Sequence, residues 1–266
     1  MLTAYRPVVR SLLPPQAGEV DLDARYALAD PGPGRRHVRA GFVASVDGAI
    51  ELDGRSGGLG GAADRAVFRM LRWSCDVVLV GAGTVRAEDY GPAVVPDARQ
   101  RLRRERGMAA VPRVAVVSAS GALDSSARLF AAGPHERPLV LTSAHADPAA
   151  VRALRDVAEV VVCGDAGLRV SSAADAAGGA VDAARLLDAL TERGLRRILC
   201  EGGPTLLATL AGDGHLDELC LTVAPVLAGP GHARLLTGPP WQRPADLALA
   251  SVLEQDGVLL LRYARS

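Results

Sequence analysis

Two stretches of this chain join a short apolar run to glycines and a possible helix start: residues 77–85, VVLVGAGTV, and residues 198–207, ILCEGGPTLL. Each apolar run is typical of a strand that is buried on both faces. Glycine lets the backbone approach a ligand closely, and the amides of a helix N-terminus attract anions, most often phosphate. Two such turns in one chain indicate a ligand with more than one phosphate, such as a dinucleotide.

Strand-like and helix-like segments alternate through the rest of the chain. The strand candidates are residues 38–44, 114–117, 139–142, 160–163 and 218–224, followed by a hairpin of 247–253 and 258–263. The helix candidates are residues 148–158 and 183–190. This order predicts an α/β protein with a three-layer αβα architecture and a mainly parallel sheet that ends in antiparallel strands. We expect residues 1–36 to form an N-terminal extension and residues 37–266 to form the functional domain.

Composition narrows the classes of function. The chain has 266 residues, of which 49% are hydrophobic, and a formal net charge of zero, so we expect no nucleic-acid partner and no membrane. Its four cysteines contain no Cys-x-x-Cys pair, which predicts free thiols in a cytoplasmic protein and no metal site. All 30 basic residues are arginine, which excludes a Schiff-base lysine and a P-loop lysine. The arginines clustered at 99–106 are expected to be solvated.

The first glycine turn departs from the usual dinucleotide-binding fingerprint. Arg86 stands where the third glycine would be, so an ordinary structural turn remains an alternative. The next strand candidate leads to Ser118 and not to an acid that would hold a ribose 2′-hydroxyl. A carboxylate there would repel a 2′-phosphate, so its absence favours NADPH over NADH. Ser118, Ser120 and a nearby arginine are candidates to receive that phosphate.

Three carboxylates stand near the expected strand ends. Glu201 adjoins the second turn, where it would face an uncharged substrate group or handle a proton; binding backbone amides is the alternative. Asp47 follows a strand, although an ordinary Asp-Gly turn explains it equally well. Glu88 lies four residues after Thr84, so both side chains can face one cleft; a surface pair of Arg86 and Asp89 is the competing interpretation of this segment.

Several short segments together resemble one known family. The segments are residues 45–48 (SVDG), 54–56 (GRS), 71–72 (LR), 80–89 (VGAGTVRAED) and 201–205 (EGGPT). In this order they resemble the pyrimidine reductases of riboflavin biosynthesis, which in bifunctional relatives form the C-terminal domain of a deaminase–reductase. The resemblance covers residues 38–263. It implies a dihydrofolate-reductase-like fold, a homodimer, NADPH as the cofactor and a small-molecule substrate.

The glycine turns and the resemblance assign roles to individual residues. The predicted cofactor-binding residues are Gly81, Ala82, Gly83, Thr84, Ser118, Gly202, Gly203, Pro204, Thr205 and Leu206. The predicted substrate-binding residues are Ser56, Arg72 and Glu201. The candidate catalytic acids are Asp47, Glu88 and Glu201, and the sequence does not rank them.

The resemblance also implies a reaction. Relatives reduce a ribosylaminopyrimidine 5′-phosphate to the ribitylamino compound: hydride reaches C1′ of the opened sugar and a proton reaches nitrogen or oxygen, from an acid or from water. The chain carries no His-x-Glu and Pro-Cys-x-x-Cys deaminase motif, so we expect a stand-alone reductase. The alternatives are a dihydrofolate or pterin reductase and a non-catalytic NADPH-binding paralogue.

Overall fold

A ten-stranded sheet organises the part of the chain that the structure describes. The computed structural model describes residues 9–15, 18–131, 137–164 and 181–266. The strands are β1 (Arg10–Leu13), β2 (His37–Ser45), β3 (Val77–Gly81), β4 (Arg113–Val117), β5 (Leu139–Thr142), β6 (Glu159–Val162), β7 (Arg197–Cys200), β8 (Glu218–Ala224), β9 (Leu247–Gln255) and β10 (Val258–Arg265). Their spatial order is β1-β9-β10-β8-β2-β7-β3-β4-β5-β6.

Helices connect most of these strands. They are α1 (Leu22–Tyr26), α2 (Ala62–Ser74), α3 (Ala82–Ala87), α4 (Asp97–Glu105), α5 (Pro148–Val157), α6 (Ala183–Glu192) and α7 (Pro204–Gly212). Asp147 caps α5, accepting the amide of Ala149, and Pro148 takes the first helical position. Short 3₁₀ turns cover Ser56–Gly58 and Arg128–Ala131.

The strands from β8 across to β6 are parallel, and β10 pairs with β8 in the antiparallel direction. β9 and β10 form the predicted hairpin, whose two-residue turn places Asp256 and Gly257 at positive φ. Both turn residues of a type I′ turn need that conformation. The prediction of a mainly parallel sheet with antiparallel C-terminal strands is therefore confirmed.

The sheet is covered on both faces. In β3, Val77 and Leu79 pack in the same core as α6 and α7. Val78 packs in the core of α2, and Val80 in the core of α3 and α5. Successive side chains of a strand point to opposite faces, so a continuous apolar run is what two buried faces require. The three-layer αβα prediction is confirmed.

Residues before β2 take part in the same sheet. β1 pairs with β9 at the sheet edge, and α1 packs against α2. Tyr26, the last residue of α1, is almost fully buried. The segment set apart as an extension therefore contributes an edge strand and a small part of the core.

The arginine cluster forms α4, and the expectation that it is solvated is wrong for Arg103. This side chain is only 2% exposed. Its guanidinium donates to the carbonyls of Trp73 (2.8 Å) and Cys75 (2.9 Å), where α2 ends, and to that of Ala109 (2.9 Å). Because a helix C-terminus leaves carbonyls without partners, the buried guanidinium satisfies groups that the helix itself cannot.

The position of β7 brings the two glycine turns together. β7 lies between β2 and β3, far from its neighbours in the sequence. The amide of Gly81, at the end of β3, donates to the carbonyl of Gly202 over 2.7 Å, and the amide of Glu201 donates to the carbonyl of Leu79 over 3.0 Å. The carboxyl ends of β3 and β7 are thus joined directly, and the loops that follow them share one edge of the sheet.

Candidate functional site

A cavity of about 750 Å³ opens at the carboxyl ends of the central strands. Its walls include Val43 of β2, Gly81 of β3, Val117 of β4 and Glu201, which follows β7. The 3₁₀ turn at Ser56–Gly58 and one side of α2 complete it. This is the position at which open α/β sheets bind their ligands.

The two glycine turns form a bare main-chain surface in this cavity. A Cβ on Gly203 would lie 3.1 Å from Oγ1 of Thr84, and one on Gly81 would lie 3.2 Å from the amide nitrogen of Gly203. Both contacts are tighter than ordinary packing, so side chains there would press into the space between the turns. The peptide bond between Gly202 and Gly203 is cis.

The first turn of α7 borders the same surface. Gly203 is its N-cap and has no side chain to bond the first amides, and Pro204 takes the first helical position. Thr205 and Leu206 line the cavity. The first amides of a helix have no partner within the helix and carry a partial positive charge, so this turn suits an anion.

A three-residue polar cluster lines the same cavity and begins at Glu201, directly before the second glycine turn. Arg72 donates two hydrogen bonds to Glu201, from Nε to Oε1 over 2.7 Å and from Nη2 to Oε2 over 2.6 Å. The Tyr90 hydroxyl donates to Oε2 of Glu201 over 2.6 Å and accepts from Nη2 of Arg72 over 3.0 Å. Bidentate pairs of this kind fix both geometry and charge.

The members of this cluster differ in their exposure to solvent. The Glu201 side chain is 4% exposed, whereas that of Arg72 is 36% exposed. Burial, followed by the charge of Glu201, raises the pKa of the Tyr90 phenol well above its usual 10, so Tyr90 keeps its proton. Glu201 therefore holds Arg72 in place, and Arg72 is the member that presents a charge to the cavity.

Ser56 and Glu88 meet across the cavity mouth. The amide of Ser56 donates to Oε1 of Glu88 over 2.7 Å, and both residues line the cavity. Glu88 follows α3, so this bond ties the 3₁₀ turn to the segment after the first glycine turn. The structure thus brings together the predicted substrate-binding residues Ser56, Arg72 and Glu201 in one cavity.

Two residues with predicted site roles lie elsewhere. Asp47 is outside the cavity lining, and its carboxylate accepts the amides of Ala228 (3.0 Å) and Gly229 (2.9 Å). The hydroxyl of Ser45, together with those amides, holds the pKa of Asp47 well below its usual range. Ser118 follows β4, but it is only 1% exposed and its hydroxyl is buried without a partner.

Sequence reasoning missed other residues of the cavity. Tyr90 directly follows the motif that ends at Asp89, but no local sequence pattern indicates that its side chain bonds to Glu201. Asp64 and Arg128 also line the cavity. Asp64 lies two helical turns before Arg72, so helical spacing within α2 was the available signal.

The residues present fit a dinucleotide cofactor. The bare glycine surface and the first turn of α7 offer main-chain amides to phosphate, and the polar cluster lies in the same cavity. Among the residues that the structure describes, no group of three His, Cys, Asp or Glu side chains could ligate a metal. Within the same residues, no helix has both the length and the apolar character to span a bilayer.

Fold and site together define an α/β oxidoreductase of the dihydrofolate-reductase-like type. The model of the family described as RibD C-terminal domain matches residues 36–261. The chain belongs to this family, so the predicted membership among the pyrimidine reductases of riboflavin biosynthesis is confirmed.

Two curated archaeal proteins are similar to this chain. Both are named 2,5-diamino-6-ribosylamino-4(3H)-pyrimidinone 5′-phosphate reductase. The protein from Methanothermobacter thermautotrophicus is 31% identical over 206 residues, covering 76% of this chain and 83% of the relative. The protein from Archaeoglobus fulgidus is 29% identical over 196 residues, covering 73% and 83%.

Solved structures show the same fold. A pyrimidine reductase-like protein from Corynebacterium diphtheriae superimposes with a TM-score of 0.77 at 27% identity, covering 93% of this chain and 99% of that one. The riboflavin biosynthesis reductase of Saccharomyces cerevisiae gives a TM-score of 0.59 at 16% identity, covering 87% and 90%. At that identity the second likeness bears on the fold alone.

Proposed function

We propose that this protein is an NADPH-dependent reductase that converts a ribosylaminopyrimidine 5′-phosphate into its ribitylamino form. One observation carries the proposal: a single cavity holds both the glycine surface at the ends of β3 and β7 and the cluster of Arg72, Glu201 and Tyr90. The names of the two archaeal relatives supply the substrate class.

The reaction needs positioning more than a reactive side chain. When bound, the cofactor supplies the hydride, and the protein holds the acceptor carbon near it. Arg72 donates to oxygens of the substrate, since it is one-third exposed and its orientation is fixed by Glu201. Main-chain amides of the glycine turns and of α7 bind the cofactor pyrophosphate.

The preference for NADPH is supported by charge. β4 is followed by Ser118 and not by an acid, so no carboxylate there repels a 2′-phosphate. The Ser118 hydroxyl is buried, and Arg128 is a better candidate for that phosphate. Arg128 lines the cavity, and its side chain is 64% exposed and 3.5 Å from Asp89.

We also propose that the protein forms a homodimer and is cytoplasmic. Leu13 of the edge strand β1 and Leu249 of its neighbour β9 are 40% and 44% exposed, and a homodimer would cover such apolar groups. The four cysteines are buried free thiols, as expected for the cytoplasm.

Turnover assays test this function directly. Purified protein is mixed with NADPH or NADH and either the diaminopyrimidinone or the aminouracil form of the ribosylamino phosphate, and cofactor oxidation is followed by absorbance. We expect turnover with NADPH and at least one of these substrates. Cofactor binding without turnover of either substrate would contradict the proposal, and turnover of dihydrofolate in their place would favour a pterin reductase.

Arg72→Ala separates substrate binding from cofactor binding. Losing hydrogen bonds to a charged group costs about 1.5–3 kcal/mol, so we expect the substrate KM to rise about 10- to 100-fold. The Kd of NADPH, measured by fluorescence, should change less than about twofold because the glycine surface is intact. Arg101→Ala, on the exposed side of α4, is the control. An unchanged KM in Arg72→Ala would remove Arg72 from the substrate site.

A further inference from the structure

A buried carboxyl group lines the cavity from the first turn of α2. Asp64, Phe68 and Arg72 are spaced four residues apart on this helix, and all three line the cavity. Residues at this spacing share one helix face. Asp64 therefore lies on the same side of α2 as the arginine that presents its charge to the substrate.

The surroundings of Asp64 do not suit an anion. The residue is 6% exposed, and its Oδ1 atom is buried without a hydrogen-bond partner. Burial raises the pKa of this carboxyl; a hydrogen bond from the Thr222 hydroxyl and the charge of Arg65 lower it by less. A bare carboxylate oxygen away from water is costly, whereas a neutral carboxyl group tolerates the same place.

The chain leaves space for this carboxyl group. A Cβ on Gly60 would come within 2.5 Å of Oδ2 of Asp64, which is far closer than van der Waals contact. Any side chain at position 60 would displace the carboxyl group. On the other side Asp64 meets β8, where Thr222 is also buried.

The carboxylates that the sequence singled out are committed to other bonds. Glu201 accepts two bonds from Arg72 and one from Tyr90. Glu88 accepts the amide of Ser56, and Asp47 is outside the cavity lining. None of the three combines burial with a free oxygen atom in the way that Asp64 does.

Two further acids line the cavity in solvated settings. Glu51 accepts the amides of Gly54 and Ala233, and these bonds hold its pKa below the usual value. The Asp89 side chain is 67% exposed and faces Arg128. Glu51 is therefore suited to remain an anion at neutral pH, and Asp89 is engaged with Arg128 at the protein surface.

We propose that Asp64 donates the proton that accompanies hydride transfer in the reaction proposed above, on which this assignment rests. Hydride from the reduced nicotinamide forms the new C–H bond at C1′ of the opened sugar, and the C=N double bond becomes a single bond. The electron pair left on nitrogen takes the proton of the Asp64 carboxyl group. After the product leaves, water that fills the cavity returns a proton to Asp64, so one hydride and one proton are consumed per turnover.

Asp64→Asn tests the assignment with little change of shape. The amide keeps the size of the carboxyl group and a partner for Thr222, but it cannot give up a proton. A general acid contributes about 10²- to 10⁴-fold, so we expect kcat to fall by about that factor while the substrate KM and the Kd of NADPH change less than about threefold. Asp213→Asn, just after α7 and exposed, is the matched control.

Thr222→Val provides a second test that does not remove the acid. The Thr222 hydroxyl stabilises the ionised form of Asp64, so its loss raises the pKa of Asp64. Activity that requires the protonated carboxyl then persists to higher pH, and the alkaline limb of kcat shifts upward. A purely structural role of Asp64 would leave this limb in place.

Infrared spectra of the cofactor-free protein give a reading that is independent of activity. We expect a protonated carboxyl band that disappears on raising the pH and is absent from Asp64→Asn. If the wild type is active and Asp64→Asn is equally active, the assignment of Asp64 is overturned and the proposed function stays intact. The same holds if the wild type is active but its spectrum lacks the protonated carboxyl band. A wild type that turns over neither substrate would overturn both.

Discussion

At the scale of residues, the site depends on what glycine leaves open. Gly203 has an ordinary negative φ, so its backbone would accept a side chain. The surrounding atoms exclude a side chain there, because the added Cβ would lie 3.1 Å from Oγ1 of Thr84. The absence of a side chain is thus explained by close approach and not by backbone strain.

Gly203→Ala should weaken cofactor binding more than it weakens the fold. The methyl group enters the space that we assign to the pyrophosphate, and we expect the Kd of NADPH to rise at least about tenfold, which is about 1.4 kcal/mol. The Tm should fall by only a few degrees. Titration by fluorescence and thermal unfolding measure the two effects.

The double variant Thr84→Ala with Gly203→Ala identifies the cause. Removing the Thr84 hydroxyl relieves the contact within the protein, so affinity that stays low in the double variant places the methyl group against the cofactor itself. Recovery to the level of Thr84→Ala alone would contradict the proposed cofactor position.

At the scale of elements, α4 supports the end of α2. Arg72 is two residues from the end of α2, and its own carbonyl accepts from Nη1 of Arg103 over 3.3 Å. The same guanidinium holds the carbonyls of Trp73 and Cys75. α4 contributes no residue to the proposed chemistry. Through Arg103 it nevertheless sets the position of α2, the helix that carries Arg72.

Arg103→Met should destabilise the protein strongly. The substitution keeps an apolar stem but leaves the buried carbonyls at the end of α2 without a donor, and we expect a loss of about 3 kcal/mol in the free energy of unfolding. Urea unfolding measures it. Arg101→Met, exposed on the same helix, should change the free energy by less than about 0.5 kcal/mol. Equal effects of the two variants would contradict the buried role of Arg103.

At the scale of the whole molecule, a buried charge network joins the central sheet to the residues before it. Glu218 at the start of β8 is 5% exposed and lies 3.0 Å from Arg39 of β2 and 3.1 Å from Arg262 of β10. Arg39 also donates to the carbonyl of Tyr26 at the end of α1. Burial alone would raise the pKa of Glu218, but His37 and the two arginines outweigh it and lower the pKa from 4.5 to about 2.

This network predicts how stability responds to acid. Because the pKa of Glu218 is lower in the folded state, its stabilising contribution is complete above about pH 4.5 and is lost as the pH falls towards 2. At about 1.4 kcal/mol per pKa unit, the loss is about 3 kcal/mol. Urea unfolding between pH 6 and pH 3 should show the decline, and Glu218→Gln should flatten it. Glu192→Gln, at the end of α6, serves as the control and should retain the wild-type slope.

Periodicity and turn chemistry were sufficient to predict the parallel sheet, the closing hairpin and the two glycine turns. They were sufficient because those features depend on residues close together in the chain. The bond between Arg72 and Glu201 joins α2 to the end of β7, and no local pattern records it. Asp64 and Arg103 are likewise defined by what buries them, and burial is decided by the packing of distant elements.

The late arrival of β7 has a consequence for synthesis on the ribosome. Half of the glycine surface follows β3 and the other half follows β7, and the Gly81 amide is bonded to the Gly202 carbonyl only once β7 has entered between β2 and β3. A nascent chain that stops before β7 would hold the first turn without its counterpart. Nucleotide affinity would therefore appear abruptly as the last quarter of the polypeptide emerges, and it would report that the interior of the sheet has closed.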